Sequence, residues 1–111
     1  MPHIVIHYSH GLDETIHKGD VLKALHNDLA TRESVTLSAI KTYALPMAAC
    51  VVGAPDTSQN LVHIILKLLP GRDVDLKNEM IQGLRAIVLS HAPEYVVTAE
   101  VQELDAQTYS K

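Results

Sequence analysis

The stretch that decides the fold is Leu61–Leu69, LVHIILKLL, in which only His63 and Lys67 are not apolar. It ends at Pro70-Gly71, a pair typical of a turn. Successive side chains of a strand point to opposite faces of the sheet. Because apolar residues occupy both sets of alternate positions, the stretch predicts a strand that is buried on both faces.

Downstream of this strand, the sequence predicts a helix and then another strand. Asp73 is a suitable cap for the helix, and Pro93 ends it. Tyr95–Leu104 alternates well enough for a strand. The helix carries an apolar stripe formed by Leu76, Met80, Leu84, Ile87 and Val88.

Upstream, the same order of elements is predicted. His3–Tyr8 is rich in β-branched and aromatic residues, which favours a strand, and Ala39–Leu45 indicates a second one. Between them, Asp20 is expected to cap a helix of about three turns. Its apolar positions, three and four residues apart, are Val21, Leu22, Leu25 and Leu29.

The two β-α-β segments align when the sequence is shifted by sixty residues on itself. His3–Ile6 then lies over the strand residues 63–66, and Gly11-Leu12-Asp13 lies over Gly71-Arg72-Asp73. This alignment predicts one domain over residues 1–111, with similar halves at about 1–52 and 60–104. The expected fold is α/β (α+β): a double β-α-β with a four-stranded sheet and two helices on one face.

The second face of that sheet predicts an oligomer. Two helices cover one face only, yet Leu61–Leu69 is apolar on both. Leaving about 400 Å² of apolar surface bare would cost about 10 kcal/mol, which is comparable with the stability of a small domain. We therefore expect the uncovered face to meet another copy of the chain.

Composition and charge restrict the partners and the compartment. The chain has 111 residues, 47% of them hydrophobic and 20% charged, and a net charge of −4, so a folded protein that does not bind nucleic acid is expected. Cys50 is the single cysteine and no secretory signal is evident, which favours the cytoplasm. The apolar run Ala44–Ala54 is broken by Pro46 and Gly53, so no membrane span is predicted.

Pro2 is the candidate catalytic residue. If an aminopeptidase removes Met1, Pro2 presents a secondary amine at the start of a buried strand. An α-amino group has a reference pKa of about 7.7–8.0, and desolvation or a nearby cation lowers it, so this amine would be a base near neutral pH. The alternative is that Pro2 only permits removal of the initiator residue.

Two motifs give the chain a family resemblance. Pro2-His3-Ile4-Val5-Ile6 and residues 66–72, LKLLPGR, together with the double β-α-β pattern, resemble the 5-carboxymethyl-2-hydroxymuconate isomerase family of the tautomerase superfamily. The resemblance implies a trimer, a role in the degradation of aromatic compounds, and an N-terminal proline that acts as the catalytic base. It also implies Arg residues that bind the carboxylates of an unsaturated keto acid.

The resemblance places four residues in the expected site. Pro2 matches the base, and Arg72 matches the Gly-Arg turn of the superfamily. Lys41 stands where such isomerases tend to carry Arg, Tyr43 lies two residues further on, and Asp13 lies in the first turn. Lysine keeps the charge but lacks the planar fork that fits a carboxylate, and Asp13 would repel one.

The activity implied is a proton shuttle within a small unsaturated 2-hydroxy or 2-keto acid or diacid. Pro2 would remove and return the proton, Lys41 and Arg72 would bind a carboxylate, and Tyr43 would donate a hydrogen bond. The alternatives are an Arg72 paired with Asp75, an exposed strand Lys41 and a packing role for Tyr43. A different class of function, a non-catalytic oligomer that binds small carboxylates, stays open.

The seven histidines do not predict a metal site. No His-x-x-x-His pair lies on a predicted helix, and no second cysteine accompanies Cys50. We expect neither a metal nor a cofactor.

Overall fold

The computed structural model of the protein describes residues 2–9 and 18–111. In this part of the chain, strands and helices alternate as two successive β-α-β units. The strands are β1 (His3–Tyr8), β2 (Lys41–Pro46), β3 (Leu61–Leu68) and β4 (Val96–Glu103). The helices are α1 (Lys18–Ala30) and α2 (Val74–His91), and short 3-10 turns span Leu37–Ala39 and Pro55–Thr57.

The strands form a four-stranded sheet in the order β2-β1-β3-β4. Strand β1 is parallel to β2, and β3 is parallel to β4, as the β-α-β order of each half requires. The two halves meet where β1 and β3 pair in antiparallel fashion, with His3 opposite Lys67. The start of β1 therefore lies at the same end of the sheet as the end of β3.

Both helices pack on one face of the sheet and bury the core there. Alternate residues of the two central strands are almost fully buried under the predicted helical stripes, as the apolar periodicity requires. The strand members of this core are Ile4, Ile6, Tyr8, Val62, Ile64, Leu66 and Leu68, and its helical members include Val21, Leu25, Leu29, Met80, Leu84 and Val88.

The opposite face, which we call the open face, is only partly covered in the single chain. Val5 is buried there, and its cross-strand partner Ile65 is half-buried. On β2, Tyr43 and Leu45 are exposed by 41% and 43%. The four-stranded sheet with helices on one face is thus the double β-α-β architecture that the sequence predicts.

Two predicted element boundaries are wrong. Asp20 does not cap α1, because the helix already includes Lys18; Asp20 lies in the first turn, where its charge favours the helix dipole. The strand predicted to begin at Ala39 begins at Lys41, since the preceding residues form a 3-10 turn in which Ala39 N donates to Thr36 O at 2.9 Å.

The turn between β3 and α2 follows the prediction. Asp73 caps the helix, because its Oδ1 accepts a hydrogen bond from Leu76 N at 2.8 Å. Gly71 has a φ of 128°, a conformation that side chains with a Cβ rarely adopt. Gly11 and Asp13, the counterparts predicted for the first half, lie outside the described residues. Within residues 18–111, neither long helix is both long and apolar enough to cross a membrane.

Candidate active site

Pro2 is buried at the edge of the sheet where β1 begins. Its carbonyl oxygen accepts a hydrogen bond from Lys41 N at 3.1 Å, which joins it to the first residue of β2. Because β1 is a central strand, Pro2 lies between β2 and the end of β3. Burial disfavours the charged form of an amine, so removal of Met1 would leave a Pro2 amine whose neutral form is favoured.

Two lysines flank His3 on the open face. In the sheet register His3 lies opposite Lys41 on β2 and opposite Lys67 on β3. Residues directly opposite one another in a sheet project to the same face. Lys41, His3 and Lys67 therefore form a row across three strands, which we call the lysine row, at the end of the sheet where Pro2 lies.

The imidazole of His3 is held by aromatic neighbours. Its Nε2 forms a hydrogen bond of 2.7 Å with the hydroxyl of Tyr109, and the Tyr109 ring lies edge-on at 5.8 Å between centroids. The Tyr43 ring lies edge-on on the same imidazole at 6.4 Å. Burial lowers the pKa of His3, and the charges of Lys41 and Lys67 lower it further, so the ring is neutral near pH 7.

Tyr109 reaches His3 because the chain turns back after β4. Leu104 N donates to Leu68 O at 2.7 Å, which extends the pairing of β4 with β3. Asp105 then organises a turn: its carboxylate accepts from Gln107 N and its carbonyl accepts from Tyr109 N, both at 2.9 Å. The C-terminal segment thereby lies against the lysine row, which it contacts through Tyr109 and His3.

The side chain of Arg72 has a different partner from the one expected. Its Nε donates to Ser34 Oγ at 3.1 Å, and its Nη2 donates to Ser34 O at 2.9 Å. Arg72 therefore neither pairs with Asp75 in solvent nor presents a free guanidinium. Its bonds to Ser34 connect the β3–α2 turn to the loop between α1 and β2. Arg72 remains at the Pro2 end of the sheet, because β3 ends there.

The structure thus places three of the four predicted site residues near one end of the sheet. Pro2 and Lys41 are joined by a backbone hydrogen bond, and Tyr43 contacts His3 on the same face. Arg72 lies at the same end but is engaged by Ser34.

Sequence reasoning missed three residues of this site: His3, Lys67 and Tyr109. His3 was visible next to Pro2, and the apolar strand around Lys67 made that lysine conspicuous. The missing information was the antiparallel register that places Lys67 beside His3. No periodic signal marks Tyr109, which follows the last strand in a turn.

Comparisons with known proteins agree with this architecture. A 5-carboxymethyl-2-hydroxymuconate isomerase from Deinococcus radiodurans R1 is 23% identical, with a TM-score of 0.86 over 99% of this chain and 87% of that chain. A 5-carboxymethyl-2-hydroxymuconate delta-isomerase is 21% identical, with a TM-score of 0.77 over 100% of this chain and 87% of that chain. A protein described as a fused 4-OT wild type symmetric trimer is 12% identical, with a TM-score of 0.76 over 96% of this chain and 91% of that chain. At these identities the likeness shows the fold.

The family is shown by a sequence model. No curated protein sequence matches the chain significantly. The model of the 5-carboxymethyl-2-hydroxymuconate isomerase family, in contrast, matches residues 2–110. The match begins at Pro2 and includes the lysine row and Tyr109. The chain therefore belongs to the 5-carboxymethyl-2-hydroxymuconate isomerase family, which supports an isomerase activity.

Proposed function

We propose that the protein is a tautomerase that moves a proton within a small unsaturated 2-hydroxy or 2-keto carboxylic acid or diacid. The base is the nitrogen of Pro2 after removal of Met1. The observation that carries this proposal is the burial of Pro2 beside Lys41, at one end of a sheet with the expected family topology. Burial favours a neutral amine there.

The reaction is a transfer of one proton with no change of oxidation state. The neutral nitrogen of Pro2 takes a proton from the enol hydroxyl or from the carbon next to the carbonyl. The resulting ammonium returns it to another carbon of the conjugated system. General base catalysis contributes typically 10²–10⁴-fold.

Charge that develops on the substrate oxygen is stabilised by the groups around His3. Lys41 neutralises the enolate or a neighbouring carboxylate, and Tyr43 donates a hydrogen bond from the same face. Arg72 binds a carboxylate with the donors that Ser34 leaves unused, since a guanidinium has more N–H groups than the two bonded to Ser34.

The active form is proposed to be a cytoplasmic homo-oligomer, most simply a trimer, of a chain that forms one domain. Tyr43, Leu45 and Ile65 leave apolar surface on the open face, which the helices do not cover. A protein of the same fold is described as a symmetric trimer. Light scattering on the purified protein measures the subunit number directly. The family implies a place in the degradation of aromatic compounds.

The test is the variant Pro2→Ala, assayed by ketonisation of 2-hydroxymuconate and of phenylenolpyruvate. Loss of the secondary amine is expected to lower kcat by about 10²–10⁴-fold. Pro55→Ala, at an exposed 3-10 turn, is the matched control and is expected to retain full activity. Unchanged turnover in Pro2→Ala would remove Pro2 as the base.

The alternative function is a non-catalytic oligomer that binds small carboxylates. The departures from the family pattern favour it, namely Lys41, Tyr43 and Asp13 in place of expected cations. A thermal shift with added 2-hydroxymuconate separates the two functions. A binding module is stabilised by the compound and leaves it unconverted, whereas an isomerase converts it.

A further inference from the structure

We propose that Tyr109 is a positioning residue for the base of the reaction: by its hydrogen bond to His3 it holds the start of β1, and with it Pro2, in the buried position that proton transfer requires. This inference rests on the proposed function and adds to it a residue from the other end of the sequence. Tyr109 acts through His3 and not on the substrate.

The start of β1 has few bonds that hold it in place. The register of β1 with both neighbouring strands begins at His3, so Pro2 lies outside the paired part of the sheet. Its carbonyl oxygen accepts from Lys41 N at 3.1 Å, which connects Pro2 to β2. Chain ends that carry few hydrogen bonds open locally at a low cost in free energy. Once Met1 is removed, Pro2 is therefore expected to need further support.

The side chain of His3 supplies that support, because it is held from a distant part of the chain. Its Nε2 lies 2.7 Å from the hydroxyl of Tyr109, a residue 106 positions further along the sequence. The two rings also pack edge-on, with 5.8 Å between their centroids. Pro2 and His3 are joined by one planar peptide unit, so fixing His3 restricts the orientation of Pro2.

The segment that carries Tyr109 is ordered around this contact. Within residues 105–111, Tyr109 is half-buried and the others are exposed. The Asp105 carboxylate accepts from Gln107 N and its carbonyl accepts from Tyr109 N, both at 2.9 Å. Strand β3 separates β4 from β1, a span of about 10 Å at about 4.8 Å per strand, and this turn lets Tyr109 cross it to reach His3.

The position of Pro2 controls the protonation state of its nitrogen. Burial favours the neutral amine, whereas local opening of β1 admits water and returns the pKa of the nitrogen toward about 7.7–8.0. Protonation of Pro2 thus favours the open arrangement, and the bond between Tyr109 and His3 favours the closed one. Loss of that bond is therefore expected to raise the apparent pKa of Pro2.

The experiment measures the pKa of the Pro2 nitrogen by ¹⁵N NMR and the pH profile of kcat/KM for 2-hydroxymuconate, on the full chain without Met1. Tyr109→Phe removes the hydroxyl and keeps the ring. The pKa of Pro2 is expected to rise by about 0.7, the equivalent of about fivefold for one hydrogen bond. Below that pKa, kcat/KM is expected to fall about fivefold through KM, because substrate draws the enzyme into the closed form. At about pH 9 the variant is expected to match the wild type.

The bond from Lys41 N to Pro2 O gives a readout that does not depend on catalysis. In Tyr109→Phe, hydrogen exchange at Lys41 N is expected to accelerate about fivefold, because β1 opens more often at its start. The amide of Leu84, in the middle of α2, is expected to exchange at the wild-type rate. Equal acceleration at both amides would show a general loss of stability and contradict a positioning role.

Variants of the turn separate position from charge. Asp105→Ala loosens the turn and is expected to raise the pKa of Pro2, although loss of a negative charge by itself would lower the pKa of an amine. Asp105→Asn keeps an acceptor for Gln107 N and is expected to keep the wild-type pKa of Pro2. Ser110→Ala changes an exposed neighbour of Tyr109 and is the control that is expected to leave pKa and activity unchanged.

An unchanged pKa of Pro2 in Tyr109→Phe and Asp105→Ala, or a loss of kcat/KM that is equal at low and high pH, would overturn the inference. Its outcome is separable from that of the proposed function. If Pro2→Ala keeps full turnover while Tyr109→Phe raises the pKa of Pro2, the base assignment fails and the positioning contact stands. If Pro2→Ala loses turnover and the Tyr109 variant leaves that pKa unchanged, the reverse holds.

Discussion

His3 and His63 lie on the same face of the two central strands, yet their neighbours give them different roles. His63 donates from Nε2 to Glu100 at 2.6 Å, and its Nδ1 lies 2.6 Å from the hydroxyl of Thr98. His3 lies between two lysines and forms a hydrogen bond with Tyr109. We call His63, Thr98, Glu100 and Gln102 the His63 cluster.

The difference shows which polar groups of the sheet lack an internal partner and are therefore available to a ligand. In the His63 cluster each polar group is used by another one, because Glu100 accepts from both His63 and Gln102. In the lysine row the positive charge has no internal partner among the described residues. We therefore expect an anion to bind more favourably at the lysine row than at the His63 cluster, although both groups of polar residues lie on one face of the sheet.

The largest expected effect comes from removing one charge on each side of this comparison. Lys41→Gln is expected to lower kcat/KM for 2-hydroxymuconate by roughly 10²-fold, the scale of losing one group that stabilises an oxyanion. Glu100→Gln removes a carboxylate from the His63 cluster and is expected to change kcat/KM by less than about threefold. Steady-state assays of both purified variants measure kcat/KM. Equal losses of kcat/KM in the two variants would contradict the distinction between the two regions.

A smaller effect is expected when each histidine loses its hydroxyl partner. Tyr109→Phe keeps the ring against His3 but removes the hydrogen bond, and is expected to raise KM about fivefold with kcat nearly unchanged. Thr98→Val removes the hydroxyl beside His63 and is expected to leave KM unchanged. A fall in kcat without a change in KM for Tyr109→Phe would contradict a positioning role for the tyrosine.

The smallest effects appear in the pH dependence of stability. The folded-state pKa of His3 lies below 6.5, so the unfolded chain binds more protons just below that pH and stability falls as the solution is acidified from pH 6.5. Hydrogen bonds from Gln102 and His63 lower the pKa of Glu100 below 4.5. The stability contributed by Glu100 is therefore present above pH 4.5 and is lost as the pH falls through its folded pKa.

Urea unfolding at a series of pH values separates the two groups. His3→Gln is expected to flatten the dependence just below pH 6.5, whereas Glu100→Gln is expected to alter it only below pH 4.5. If His3→Gln leaves the region below pH 6.5 as it is in the wild type, the neutral His3 between two lysines is not the folded state in solution.

Much of the fold could be predicted because it depends on local patterns. The nearly continuous apolar run of Leu61–Leu68 and the apolar stripe of α2 predict both elements, and the Asp73 cap is visible as a residue type followed by a helical period. A β-α-β order implies parallel strands, so the pairs β1–β2 and β3–β4 also follow from the sequence.

The rest depends on contacts between distant residues. No rule links the two halves, so the antiparallel pairing of β1 with β3, and with it the approach of Lys67 to His3, needs the three-dimensional register. The bonds from Arg72 to Ser34 join two loops, which carry no periodic signal. The position of Asp20 fails for a local reason, because residue type alone does not distinguish a helix cap from an acidic residue in the first turn.

The most direct test of the account is a titration of the Pro2 nitrogen by ¹⁵N NMR on protein whose intact mass shows the loss of Met1. We expect a free secondary amine with a pKa below the reference range of about 7.7–8.0, because Pro2 is buried. A mass that retains methionine, or a nitrogen that titrates within or above that reference range, would contradict it.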